Sequence, residues 1–148
     1  VFSTLHTNTA QDAADRLIDL GVPEYLMKSV VRLVAAQRLV RKVCPDCSEP
    51  IDLSRRPKTR DLFAKLDQRT GSHTDPEKWQ LKRSVGCESC NQTGFRGGLA
   101  LFEAREPEEL AIKDKRAQRT MASEGVRLIA EGHTTLEEVL RVLGVKSF

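Results

Sequence analysis

The sequence predicts an α/β fold, mainly helical, with a small cysteine-built subdomain in its middle. Three observations predict it. Apolar residues recur at helical spacing between recognisable caps, two short β-favouring stretches stand at Val1–Leu5 and Leu99–Glu103, and all four cysteines fall into two Cys-x-x-Cys pairs. Of 148 residues, 39% are hydrophobic and 30% charged, the balance of a chain that buries a core, which excludes the disordered and fibrous classes. With one Trp, one Tyr and five Phe, that core must be filled mostly by aliphatic side chains and Ala. No run approaches about 18 apolar residues and no segment resembles a signal peptide, so a cytoplasmic chain without a membrane span is expected. The formal charge of +3, from 24 basic and 21 acidic residues mixed along the sequence, is too weak to argue for nucleic acid.

Val1-Phe2-Ser3-Thr4-Leu5 reads as a strand and, with no initiator Met before it, as sequence cut from a longer protein. Thr9 then caps a helix whose apolar side is Ala10, Ala13, Ala14, Leu17 and Ile18, closed by Gly21. Pro23 suits the first turn of a second helix reaching about Lys42, with Leu26, Val30, Leu33 and Val34 on one side. Arg38, Arg41 and Lys42 would complement the negative end of its dipole, although Gln37-Arg38-Leu39-Val40-Arg41 also reads as a functional basic stripe. From Ser48 to Val85 a polar, turn-rich insert carries one weak helical patch at Leu62, Phe63 and Leu66. Gly94, Gly97 and Gly98 mark a tight turn before the short strand Leu99–Glu103. The tail is helical: one helix opens at Pro107 beside Glu108 and Glu109, another runs from about Ala117 towards Ile129. In the last, Thr134 and Glu137 have capping-box spacing ahead of Leu136, Val139, Leu140 and Leu143, and Gly144 stops it.

The chemistry that the residues themselves carry is in the cysteines. Cys44-Pro45-Asp46-Cys47 and Cys87-Glu88-Ser89-Cys90 stand 39 residues apart, and a Cys-x-x-Cys turn brings two thiolates onto one tetrahedral ion. Closing such a loop costs about 3 kcal/mol, whereas a structural zinc contributes on the order of 10 kcal/mol. We therefore read Cys44, Cys47, Cys87 and Cys90 as ligands of one structural Zn2+. Disulfides in any of three pairings, free thiols or a redox pair are the alternatives the spacing leaves, and a cytoplasmic setting disfavours the first. Four thiolates on one ion leave a charge of −2, which Arg41, Lys42, Lys82, Arg83 and Arg96 flank in sequence.

Elsewhere His6, with Thr7 and Asn8, follows the opening strand and precedes the first helix, a place where α/β proteins contact phosphate; it is equally a histidine that caps the helix start. His73 and His133 read as solvated surface residues. No Gly precedes the Lys-Ser/Thr pairs at Lys28, Lys58 and Lys146, so this sequence contains no Walker-type phosphate loop.

Taken in order, Ser3-Thr4-Leu5-His6-Thr7-Asn8, Arg16-Leu17, Gly21-Val22-Pro23, Gln37-Arg38-Leu39-Val40-Arg41, the two cysteine pairs, Thr93-Gly94-Phe95 and the run from Thr134 to Val142 resemble the C-terminal part of the type II secretion and type IV pilus assembly ATPases. The resemblance implies that residues 1–43 are the distal edge of a RecA-like P-loop ATPase core, 44–103 a tetracysteine zinc subdomain with its polar insert, and 104–148 a C-terminal helical subdomain. It implies a homo-hexamer, cytoplasmic and peripheral at a bacterial inner membrane, that works on secretion or pilus platform proteins, with ATP and Mg2+ bound through sequence upstream of Val1. It also makes His6, Thr7 and Asn8 the family's histidine box near the terminal phosphate. One position departs: the family usually carries Arg where this chain has Gly98, which leaves Arg96 as the nearby cation. The rival reading is a zinc-ribbon module that binds nucleic acid or protein. Nucleic-acid ribbons interleave aromatics with cations at the knuckles, and here only Phe95 stands near them, so no nucleic acid is expected.

Overall fold

The computed structural model describes residues 1–107 and 120–144 as a small α/β fold. Helix α1 spans Ala10–Asp19, α2 Glu24–Val30, α3 Pro57–Thr70, α4 Met121–Ala130 and α5 Leu136–Leu143; strand β1 spans Val34–Val43, β2 Glu49–Pro50, β3 Lys82–Arg83 and β4 Phe95–Arg105. A long antiparallel ribbon of β1 and β4 is the frame, and a minor pair, β2 with β3, lies in the insert.

The start of α1 is built as its sequence predicts. Thr9 is extended, its hydroxyl accepts from the Asp12 N–H at 3.1 Å, and its own N–H donates to the Asp12 carboxylate at 3.2 Å, satisfying two of the donors a helix start leaves open. The helix buries Ala10, Ala13 and Ala14, and Ala14 meets Met27 of α2 in a satellite cluster with Leu17, Val22, Val31 and Val34.

Four expectations are corrected. Residues 1–7 lie outside any regular element, because a lone extended segment has no neighbour to pair its backbone groups. The second helix stops at Val30 instead of reaching Lys42, and Val34–Val43 is a strand. Its apolar periodicity suits either state, and pairing with β4 decides it. The insert holds a full helix, α3, which docks through Phe63, Leu66 and Thr70; Phe63 and Trp79 meet edge to face at 4.7 Å. Gly97 and Gly98 lie inside β4, which begins at Phe95, and not in a turn.

In the tail, the helix read from Ala117 begins at Met121 under a Thr120–Ser123 cap. The helix opening at Pro107 lies, beyond Pro107 itself, outside the described residues. The last cap is Thr135, accepting from the Glu138 N–H at 3.3 Å, one residue later than the Thr134–Glu137 reading. Thr134 is turned instead to the Arg41 carbonyl, to which its hydroxyl donates at 2.8 Å.

The ribbon register sets Ala36 opposite Glu103, Arg38 opposite Leu101 and Val40 opposite Leu99, and an irregularity after Arg41 brings Val43 opposite Phe95. Because strand side chains alternate, this face turns Val40 and Leu101 into the main core with Phe63, Leu81, Val126, Ile129 and Val139, while Leu39 and Phe102 stay exposed on the other. Among the described residues no helix is long and apolar enough to cross a membrane.

Helix α5 is fastened to β1 by one carboxylate. Glu138 is buried and accepts from the Arg41 N–H at 2.9 Å, the Arg41 guanidinium at 2.7 Å, and the Arg141 guanidinium at 2.9 and 2.7 Å. The Arg141 guanidinium, aided by the Arg41 side chain and N–H, holds the Glu138 carboxyl well below the usual carboxylate range in spite of burial. The stabilisation is therefore complete above the unfolded value of about 4.3 and is lost as pH falls beneath it. Glu138→Gln is expected to cost about 2 kcal/mol at neutral pH, less than a fully buried pair because both guanidiniums are half in water. Urea melts at neutral pH and at about pH 4 should show the difference shrinking in acid.

Candidate metal centre

Strand β1 runs directly into Cys44, and β4 emerges from the knuckle that holds Cys87 and Cys90, so the end of the ribbon is where both Cys-x-x-Cys turns meet. The Cys44 N–H donates to the Gly94 carbonyl at 2.9 Å, joining the two turns directly. After Cys87 a single 3-10 turn, Glu88–Cys90, is followed by Asn91 and Gln92, both left-handed, with φ of 51° and 62°. Two glycines make the bend possible. Gly86 has φ +121° with the Gln92 carbonyl oxygen 2.8 Å from where a Cβ would stand; Gly94 has φ +75° with the Ser84 Cβ 2.6 Å from the same point.

These turns bring all four sulfurs within 4.8 Å of one another. Cys44 and Cys87 are 3.9 Å apart, Cys47 and Cys90 3.8 Å, Cys87 and Cys90 3.7 Å. None of the four is in a disulfide. Zinc–sulfur bonds of about 2.3 Å put the corners of a tetrahedron about 3.8 Å apart, so the cluster has room for one such ion and the donor set suits it. Cys44 and Cys90 are buried, and Cys47 and Cys87 are half-buried.

The groups that reach the sulfurs are backbone N–H donors: Gly86 to Cys47 at 3.3 Å, Cys87 to Cys90 at 3.2 Å and Gly94 to Cys90 at 3.2 Å. The flanking cations that the sequence offers for this role are Arg41, Lys42, Lys82, Arg83 and Arg96; backbone donors carry no residue type and leave no such mark. The glycines at 86 and 94 were the available signal, since the turn that needs them also aims the N–H groups inwards. Arg41 instead pairs with Glu138 and lies 4.2 Å over the Phe95 ring, Arg83 pairs with Glu49, and Arg96 pairs with Asp46 at 3.2 Å. Burial pushes the Cys47 thiol up to about 11, the neighbouring thiols adding to it against the Gly86 N–H. Burial also raises Cys90, but the Cys87 and Gly94 N–H groups, with the Cys87 and Cys47 thiols, outweigh it and bring Cys90 down to about 6. A cation held by the four sulfurs would draw the protons from the thiols.

His6 is exposed and Thr7 half-buried, and neither belongs to this cluster; Asn8 accepts from the Arg38 guanidinium at 2.6 Å. His73 is exposed; His133 is half-buried, its ring 3.4 Å from Glu131 and its carbonyl accepting from the Val43 N–H at 3.0 Å.

A ribbon ending in four convergent cysteines defines a small α/β domain with a site able to hold a metal ion. Residues 1–141 match the model of the family described as Type II/IV secretion system protein, and the chain belongs to that family. It is 40% identical to the type II secretion system protein E of Aeromonas hydrophila over 96% of its length, and 36% identical to the type II secretion system ATPase E of Vibrio cholerae over 96%. It is 33% identical to the type IV pilus assembly ATPase PilB of Myxococcus xanthus over 95%. The chain spans 29% of the length of the first two of these curated relatives and 26% of the third.

The knuckle glycines give a direct check. Gly94→Ala would force a side chain into a left-handed backbone and onto Ser84, and is expected to destabilise the fold by about 1–3 kcal/mol. Gly97→Ala has nothing within 4 Å of its Cβ, so it meets only the left-handed φ of +84° and should cost less. Thermal melts of the two variants side by side should rank them in that order.

Proposed function

We propose that this chain is the C-terminal part of an ATPase that powers type II protein secretion or type IV pilus assembly, and that its four cysteines hold one structural Zn2+. The observation that carries the reading is the convergence of the Cys44, Cys47, Cys87 and Cys90 sulfurs within 4.8 Å of one another in a chain that matches the family from residue 1 to 141. Residues 1–43 form the distal part of a RecA-like core, 44–103 the zinc subdomain and 104–148 the helical tail. With four thiolate ligands the ion has no open position, so it fixes shape and activates no water.

In this reading His6, with Thr7 and Asn8, is the histidine box. It senses the terminal phosphate of an ATP bound with Mg2+ by the rest of the parent protein, which acts as a cytoplasmic homo-hexamer on platform proteins of the inner membrane. A nucleic-acid ribbon is less well supported: Phe95, the aromatic beside the knuckle, is already covered by Arg41.

Elemental analysis of the purified chain should find one zinc per molecule. Chelation, or Cys44→Ser, should remove it and lower the melting temperature markedly; a cooperative melt unchanged after complete metal removal would refute the zinc assignment. In the full-length parent, ATP turnover is expected to fall tenfold or more in His6→Ala with hexamer assembly intact. A wild-type parent without ATP turnover would refute the motor reading.

A further inference from the structure

Glu103 is a buried carboxylate that neither the cysteine cluster nor the main core uses. It lies near the C-terminal end of β4, is 5% exposed, and accepts two backbone hydrogen bonds from two helices. One comes from the Ala10 N–H, the first residue of α1, at 2.6 Å; the other comes from the Met121 N–H, the first residue of α4, at 3.1 Å. The two donors are separated from Glu103 by 93 and 18 residues. Both belong to the first turn of a helix, where N–H groups lack intrahelical partners and the macrodipole is positive. Two positive helix ends would repel each other across this gap, and a single negative charge between them makes the meeting favourable.

The neighbouring strand adds a second contact on the same face. Glu103 stands opposite Ala36 and Leu101 opposite Arg38, so Arg38 and Glu103 are diagonal neighbours across the ribbon, with side chains on one side of it. Arg38 donates to the Asn8 side-chain oxygen at 2.6 Å, while Glu103 takes the N–H of Ala10. The segment that begins with His6 is therefore clamped at Asn8 and Ala10, two and four residues after the histidine, by a cation and an anion from adjacent strands. Through Met121 the same carboxylate holds the first turn of α4. The segment from 1 to 7, which has no regular structure, meets the rigid frame at this clamp.

We infer that Arg38 and Glu103 are positioning residues that fix the histidine loop on the ribbon and make α1 and the tail helix α4 move as one piece with it. This deepens the motor reading and rests on it for the role of His6: a displacement felt at the loop is passed through Glu103 to the tail, not absorbed between them. Neither residue touches nucleotide in this account; both act through Asn8, Ala10 and Met121.

The test has two arms. In the 148-residue chain, amide hydrogen exchange is followed in Glu103→Gln, whose side chain keeps the volume but can accept from only one of the two N–H groups. Protection at Ala10 and Met121 should fall together by tenfold or more, while α3 and the knuckle exchange as before; unchanged protection, or loss at only one helix, would overturn the inference. In the assembled parent, Glu103→Gln and Arg38→Met should lower kcat for ATP at least tenfold with KM for ATP and hexamer content unchanged, and Glu103→Asp should recover part of the loss. Wild-type kcat in both variants would overturn the positioning role. If the wild-type parent itself turned over no ATP, the motor reading would fail, and the exchange arm would still decide whether Glu103 couples the two helices.

Discussion

The antiparallel pairing of β1 with β4 constrains the rest of the described fold. The two strands are separated by the whole insert, residues 44–94, and closing that loop costs about 3–4 kcal/mol before any contact is made. A two-stranded ribbon is marginal alone in water. What makes it stable is the burial of one face: Val40 and Leu101 pass into a core built by α3, α4 and α5. The four cysteines stand just past the ends of the paired segments, so an ion held there would close the same loop that the ribbon must close. Pairing and ligation reinforce one another because they fix the same two turns.

The polar contacts that matter also converge on this ribbon. Asn8 is tied to it through Arg38, the starts of α1 and α4 through Glu103, and α5 through Arg41 and Glu138. Two of these ties bury a carboxylate, and each carboxylate is compensated differently. Glu138 faces two guanidiniums that remain half in water, so its charge is balanced by charge. Glu103 receives two backbone N–H groups from helix starts, so its charge is balanced by dipoles. Among the described residues no buried side-chain polar atom lacks a partner, as the cost of desolvation requires.

What the sequence reveals of this structure follows the range of the interaction involved. The cysteine spacing is legible because a Cys-x-x-Cys turn is a local geometric device, and the Thr9 cap is legible because its partner, Asp12, is three residues away. The strand at Val34–Val43 is not. Its exposed face carries Ala35 and Leu39, so the alternation of apolar and polar residues that marks a half-buried strand is blurred, and the partner that decides the matter begins more than fifty residues later. Glu138 reads as one acidic residue in the first turn of an amphipathic helix, and its burial depends on Arg41, 97 residues earlier. Glu103 sits in a short apolar stretch with nothing local to announce two helix starts above it. The N–H groups aimed at the sulfurs are hidden for another reason: backbone donors have no residue type, and only the glycines at 86 and 94 hint at the turn that directs them.

This geometry also sets the cysteine cluster and the segment that begins with His6 at opposite ends of the ribbon. Strands advance about 3.4 Å per residue, so Cys44 lies roughly 20 Å along β1 from Arg38, where the histidine loop is held. An ion held by the four cysteines would stand at the other end of the ribbon from that loop, and with four thiolates around it would have no open position. Its influence can pass only through the rigidity of the ribbon, by holding β1 and β4 in the register that puts Arg38 and Glu103 side by side. A slip of one residue in that register would put Arg38 and Glu103 on opposite faces of the ribbon, so the cysteine knuckle, at the far end of the ribbon, helps decide where the clamp on Asn8 and Ala10 stands.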